Sequence, residues 1–219
     1  MPRKRLERSN TFPYHVGARC NNKEPFPIPL NAVWEIFESE LFALNLLYGT
    51  EIQAFVLMPN HFHLIVTVPN EDLGKMMNLL MANVTRRVNL KSGRSGHLFG
   101  GPHFRSIIKS TRYYGHVLKY VYRNPVRAGL CRNTEDYAYS TAHRLFGFQP
   151  LHIPLSFTRI GMETNLPDPL NLGHWVSWLN RPFPREAEAL VRKAIYRKEI
   201  TTLLDRVSRK PTAILDQLL

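Results

Sequence analysis

Two pairs of residues in this chain have the types and spacing that suit chemistry: His61 with His63, and Tyr120 with Asn124. If His61-Phe62-His63 opens a β-strand, alternate side chains share a face. The two imidazoles then stand side by side, with Phe62 turned to the opposite face. Such a pair begins a divalent-metal site but needs further donors. On a helix, Tyr120 and Asn124 lie one turn apart on one side, which pairs a phenol nucleophile with an amide-oxygen ligand. Each pair also has a plainer reading. A His-x-His arises readily in a chain with nine histidines, and Tyr120 and Tyr122 suit aromatic packing. Asn124 can simply end a helix before Pro125. Residue types alone do not choose among Tyr113, Tyr114, Tyr120 and Tyr122.

Several chemistries are excluded by what the pattern lacks. There is no HExxH helix and no cysteine cluster, so a zinc protease or a structural zinc is not expected. Histidine-triad nucleotide hydrolases also carry alternating histidines on a strand, but they continue to a third where this chain has Ile65. No GxxxxGK[ST] loop is present to cradle a nucleotide. Cys20 and Cys131 stand far apart without a CxxC partner, as suits a reduced, cytosolic compartment. The basic start MPRKRLERSN leads into no apolar h-region, and no run is long and apolar enough for a membrane span, so neither a secretory signal nor a membrane partner is expected.

Charge narrows the partner class. The formal net charge is +12. Between Leu73 and Thr134 there is no Asp or Glu, while 12 Lys or Arg fall in that span; the remaining 17 basic residues balance the 17 acidic ones. One contiguous third thus carries the whole excess, as a phosphate-binding face requires.

The elements that must position these residues can be read from periodicity. Tyr14, Val16 and Ala18 alternate as a strand. From Asn31, Val33, Trp34, Phe37, Leu41, Leu44 and Leu47 recur at helical spacing, closed by Gly49. EIQAFVLM and HFHLIVTV flank Pro59-Asn60 as a hairpin. EDLGKMMNLLMANVTRRVNL reads as a helix with acidic residues in its first turn. FRSIIKS reads as a fourth strand, and TRYYGHVLKYVYR as a helix ending at Asn124-Pro125. The β-α-β-β-α-β order implies an α+β, ferredoxin-like antiparallel sheet with two helices on one face. Residues 1–149 form this domain. Residues 150–219 read as a separate helical C-terminal extension, with PREAEALVRKAIYRKEITTLLDRVSRK strongly helical and PTAILDQLL as a further helix.

The string FVLMPNHFHLIV, followed well downstream by YVYRNPVRAGL, resembles the REP-associated tyrosine transposases of the HUH endonuclease superfamily. The resemblance spans roughly residues 11–145, including the YHV strand and the DYAYST segment. It implies metal ligation by His61 and His63, a nucleophile at Tyr120 and a helix-borne third ligand at Asn124. The family often has an arginine beside the aromatic before the fourth strand; this chain has His103 before Phe104, which shifts that DNA contact toward Arg105.

The reaction so implied is metal-dependent cleavage and rejoining of single-stranded DNA through a 5′-phosphotyrosine, without ATP. Mixed nitrogen and oxygen ligation suits Mg²⁺ or Mn²⁺ better than Ca²⁺. The expected partner is single-stranded DNA carrying palindromic hairpins, bound by the protein as a monomer or a homodimer. Arg86, Arg87, Arg105, Lys109, Lys119, Arg123 and Arg127 are the candidate phosphate contacts. Phe99, Phe104 and Tyr113 are candidates for stacking on unpaired bases. The competing expectation is a non-catalytic binder of DNA or RNA hairpins whose histidine pair is structural.

Overall fold

Pro59 and Asn60 make the two-residue turn of a hairpin between β2 (Glu51–Met58) and β3 (His61–Thr67). The turn is held from outside: the Cys20 amide donates to the Asn60 carbonyl at 2.8 Å and the Phe26 amide to the Pro59 carbonyl at 2.9 Å. The computed structural model describes residues 7–156, 166–167 and 171–200. Around the hairpin lie β1 (Tyr14–Gly17), α1 (Leu30–Tyr48), α2 (Leu73–Ser92), β4 (Phe104–Ile108) and α3 (Thr111–Arg127). There follow α4 (Thr141–Leu145), α5 (Leu172–Asn180), α6 (Arg185–Ala194) and β5 (Glu199–Ile200). The strand order is β2-β3-β1-β4-β5; the first four strands are antiparallel, as the ferredoxin-like expectation requires. Among the described residues no helix is long and apolar enough to cross a membrane.

The sheet is buried on both faces. Tyr14, Val16, Phe55, Leu57, Phe62, Leu64 and Val66 pack with Trp34, Phe37 and Leu41 of α1 and Met76, Leu80 and Val84 of α2. On the other face Ala54, Val56, Met58 and Ile65 pack with Val117 and Val121 of α3 and with Trp178, Val191 and Ile195. A bulge at Gln53 keeps β2 in phase with this division, because the register moves from Ile52↔Val66 to Ala54↔Ile65. Gln53 is held there by its amide donating to the Thr67 hydroxyl at 2.9 Å.

Helix ends follow local chemistry. Gly49, at φ 60°, closes α1 in the left-handed conformation that glycine adopts without strain. Asp72 caps α2 by accepting from the Gly74 and Lys75 amides, so the acidic residue stands at the cap and none lies in the first turn.

Three expectations are corrected. First, α3 does not stop at Asn124 but runs through Pro125 to Arg127. Pro125 has no N–H for the Val121 carbonyl, one turn back. The Asn124 side-chain amide bends over the same turn, donating to the Tyr120 carbonyl at 2.9 Å and the Val121 carbonyl at 3.4 Å. Second, the helix from Arg185 ends at Ala194, and the chain turns into β5 beside β4. The exposed edge of β4 captures it: the Ile107 amide donates to the Lys198 carbonyl at 3.1 Å. The extension therefore completes the sheet instead of standing apart. The further helix expected over PTAILDQLL lies outside the described residues.

Third, Lys119 does not line a surface path. It is fully buried under α5, with Nζ 5.2 Å from the ring centroids of both Trp178 and Phe183. No hydrogen-bond partner reaches it among the described residues. Burial, reinforced by Arg123 and Arg181, pulls its pKa down to about 8. Arg123 is likewise engaged, donating to the Leu179 and Asn180 carbonyls at 2.8 Å each, where a cation suits the C-terminus of α5.

Two stability measurements test this packing. Asn124→Ala removes the amide that covers the turn at Pro125 and is expected to cost about 1–2 kcal/mol in urea unfolding. For Lys119, the unfolded chain holds more protons than the folded one between pH about 8 and 10.5, so stability rises with pH across that window. Lys119→Met removes this rise and stabilises the protein below pH 8, by on the order of 2 kcal/mol. An unchanged or lowered unfolding midpoint at pH 7 would contradict the buried amine.

Candidate active site

Strand alternation turns His61 and His63 toward α3, because Phe62 and Leu64 are claimed by the core under α1 and α2. Their ring centroids are 5.1 Å apart, at an interplanar angle of 82°. Tyr120 faces them from α3, its ring centroid 6.4 Å from that of His63. The structure thus brings together the histidine pair and Tyr120, and it separates Tyr120 from its neighbours. Tyr122 points to Thr141, with its hydroxyl 3.0 Å from the threonine hydroxyl. Tyr113 packs edge-on against His116.

Both histidines are neutral. Burial pulls the pKa of His61 down to about 4, with Arg19 and Arg127 adding to the effect. Burial also holds His63 well below its ordinary value, with His15, His61 and the same two arginines contributing. The Nδ1 of His61 lies 2.7 Å from the Asn60 side-chain oxygen, which can only accept, so Nδ1 carries the proton. Nε2 of His61 then has a free lone pair. The Nδ1 of His63 is engaged as well, 3.0 Å from Nε2 of His15. Imidazoles held through one nitrogen with the other available are what a divalent cation requires. The donor set fits a metal in this respect.

The third donor is less direct. Among the described residues no cluster of three His, Cys, Asp or Glu side chains could hold a metal ion. Asn124 is buried, its amide nitrogen is turned onto its own helix, and its Oδ1 accepts from Arg127 Nη2 at 2.9 Å. Arg127 is the hub of this corner. Its guanidinium lies 5.1 Å from the Tyr120 ring centroid and 3.7 Å from a Glu188 carboxylate oxygen of α6. Burial raises the pKa of Tyr120, and Arg127 opposes that rise.

The remaining candidate cations divide by environment. Arg86 is exposed on α2, and Arg105 is half-buried on β4. Arg87 pairs with Glu40 at 2.9 Å, and Lys109 with Glu7 at 2.6 Å and Glu199 at 3.1 Å. Of the aromatics, Phe99 is in the core, while Phe104 stands at the site with its ring centroid 6.0 Å from His63 and 5.2 Å from His15.

Sequence reasoning missed His15, Glu188, Ile195 and Tyr196. A signal for His15 was present: in a strand where Tyr14 and Val16 face one core, His15 must face the other side. The rest come from the extension, whose folding against α3 has no local signature. Tyr196, 58% exposed, packs on Phe104 with ring centroids 5.6 Å apart.

No protein-family model matches the chain. A REP-associated tyrosine transposase of Escherichia coli (strain K12) is 30% identical over 96 residues, covering 43% of this chain and 55% of that protein. A relative of the same description from Haemophilus influenzae is 25% identical over 108 residues, covering 44% of this chain and 61% of its own length. The chain thus spans little more than half the length of these relatives. A solved structure of a REP-associated tyrosine transposase bound to a REP hairpin superposes with a TM-score of 0.57 at 22% identity. That likeness covers 72% of this chain and 94% of the other, and it establishes the shared fold. Over the matched segment, this chain is a homologue of the REP-associated tyrosine transposases.

Proposed function

We propose that the protein cleaves and rejoins single-stranded DNA beside hairpin elements, with Tyr120 as nucleophile and a divalent cation at His61 and His63. The observation that carries this reading is the meeting of two neutral, Nδ1-anchored imidazoles with the ring of Tyr120 under one helix. The description of the E. coli relative as a tyrosine transposase, and the REP hairpin bound in the solved relative, support the reaction class and the substrate.

Mg²⁺ or Mn²⁺ held there would supply Lewis-acid charge to the nonbridging oxygens of the scissile phosphate. His61 and His63 would hold the ion, with Asn124 Oδ1, which now accepts from Arg127, as the candidate third donor. The rest of the chemistry belongs to the chain. The Tyr120 oxygen attacks phosphorus as its phenol loses a proton; the bond to the 3′ oxygen breaks, and that oxygen leaves as a hydroxyl. The 5′-phosphate stays on Tyr120, and a 3′-hydroxyl reverses the step without ATP. Arg127, over the Tyr120 ring, favours the phenolate and the incoming phosphate. Of the candidate contacts, Arg86 and Arg105 carry no carboxylate partner among the described residues and are the cations left to follow the backbone, with Arg127 at the site itself. Phe104 and the exposed Tyr196 form a platform on which an unpaired base can stack.

Two observations favour a second reading, a non-catalytic hairpin binder: Tyr120 is only 3% exposed, and the Asn124 amide is committed to its own helix. A labelled hairpin oligonucleotide mixed with protein and Mn²⁺ or Mg²⁺ separates the two on a denaturing gel. A covalent band is expected, lost in Tyr120→Phe and in EDTA, while the Kd of Tyr120→Phe for the hairpin stays within about threefold of wild type. Tight binding with no adduct under either metal would leave the binder reading in place. Arg86→Ala and Arg105→Ala are each expected to lower the slope of log K against log salt by about 0.7. Lys119→Met, changed beneath α5, should leave that slope as it is.

A further inference from the structure

His15 has no place in the reaction as written, yet it is fully buried against the histidine pair. It lies opposite Ile65 on β3 and Ser106 on β4, so its side chain enters the α3 face diagonally beside His63. The two rings lie edge to edge, with centroids 5.2 Å apart and planes 14° from parallel, and His15 Nε2 is 3.0 Å from His63 Nδ1. One proton lies between these nitrogens, and its owner decides what His63 can do. If His15 Nε2 carries it, neutral His63 must hold its own proton on Nε2, and that nitrogen cannot bind a metal. If His63 Nδ1 carries it, His63 Nε2 presents a lone pair and His15 carries its proton on Nδ1.

The surroundings of His15 Nδ1 favour the second arrangement. This nitrogen is buried, and no hydrogen-bond partner reaches it among the described residues. The Ile195 carbonyl acts on the His15 ring as an acceptor, and with Nε2 engaged by His63 the nitrogen left to it is Nδ1. That carbonyl accepts from the Ser106 hydroxyl at 2.7 Å, a hydroxyl that also reaches the Arg197 carbonyl. An acceptor at that point stabilises Nδ1–H of His15 and disfavours a bare lone pair there.

We propose that His15 is a positioning residue: it accepts from His63 Nδ1–H and so keeps His63 Nε2 free for a metal, with the Ile195 carbonyl orienting His15 in turn. The C-terminal extension thereby sets the tautomer of a metal ligand through one intervening ring. This rests on the metal reading of His61 and His63, and its tests separate the two.

In ¹⁵N-labelled, metal-free protein, long-range ¹H–¹⁵N spectra are expected to show His63 and His15 both protonated at Nδ1; protonation of His63 at Nε2 overturns the inference. Mn²⁺ affinity, followed by the loss of the free-ion EPR signal, is expected to fall about 10–100-fold in His15→Phe, which keeps a ring but offers no acceptor. His15→Gln, whose side-chain oxygen can stand where Nε2 stood, is expected to bind within a few-fold of wild type. Equal Mn²⁺ binding by wild type and a folded His15→Phe overturns this inference alone. Wild-type protein that binds no Mn²⁺ overturns the metal reading and this one with it. Should His15→Phe fail to fold, the wild-type tautomer and the His15→Gln titration still decide the matter.

Discussion

The arrangement depends on β3 being sandwiched between two separate helical layers. A strand buried on both faces has no solvent side, so each residue is assigned to one core or the other by alternation alone. Phe62, Leu64 and Val66 enter the layer under α1 and α2, while His61, His63 and Ile65 enter the layer under α3. A register slip of one residue would send both imidazoles into an apolar core and expose none of them to a ligand. The Pro59-Asn60 turn and the bulge at Gln53 hold that register at the two ends of the hairpin. The site is therefore a consequence of sheet geometry before it is a consequence of any contact within it.

Burial has opposite effects on the groups it touches. It keeps His15, His61 and His63 neutral, which suits metal ligation. It makes the phenolate of Tyr120 harder to form, and Arg127 is the charge set against that cost. Arg127 also donates to Asn124 and faces Glu188, so tyrosine, amide and C-terminal helix share one cation. A change at any of these residues should be felt by the others, and their substitutions should not act additively.

The C-terminal segment changes the electrostatic picture. It packs Trp178 and Phe183 over Lys119, draws Arg123 to the end of α5, and sets Glu188 and Glu199 beside Arg127 and Lys109. Acidic residues from outside the basic third also meet Arg87 and Lys109. The excess of positive charge is real, but a good part of it is neutralised locally or buried. Of the candidate contacts, Arg86 and Arg105 remain without a carboxylate partner among the described residues, while Arg127 is shared with Glu188 at the site.

By itself the sequence determined the sheet, the hairpin, the two helices on one face and the His-x-His pair, because these follow from periods of two and 3.6 residues and from turn residues next to them. The resemblance in FVLMPNHFHLIV and YVYRNPVRAGL pointed to Tyr120, where residue spacing alone left four tyrosines open. Tertiary structure decided the rest. A proline reads locally as a helix end, yet the Asn124 amide and the packing of α3 carry the helix past Pro125. Lys119 reads as a surface cation, yet the aromatic residues that cover it lie some sixty positions away, beyond the reach of any local pattern. IYRKEI reads as helix, yet the open edge of β4 draws it into a strand. At Lys119 and at β5 contacts from distant segments outweighed the local pattern, and at Pro125 the packing of α3 offsets a proline cost of about 3 kcal/mol.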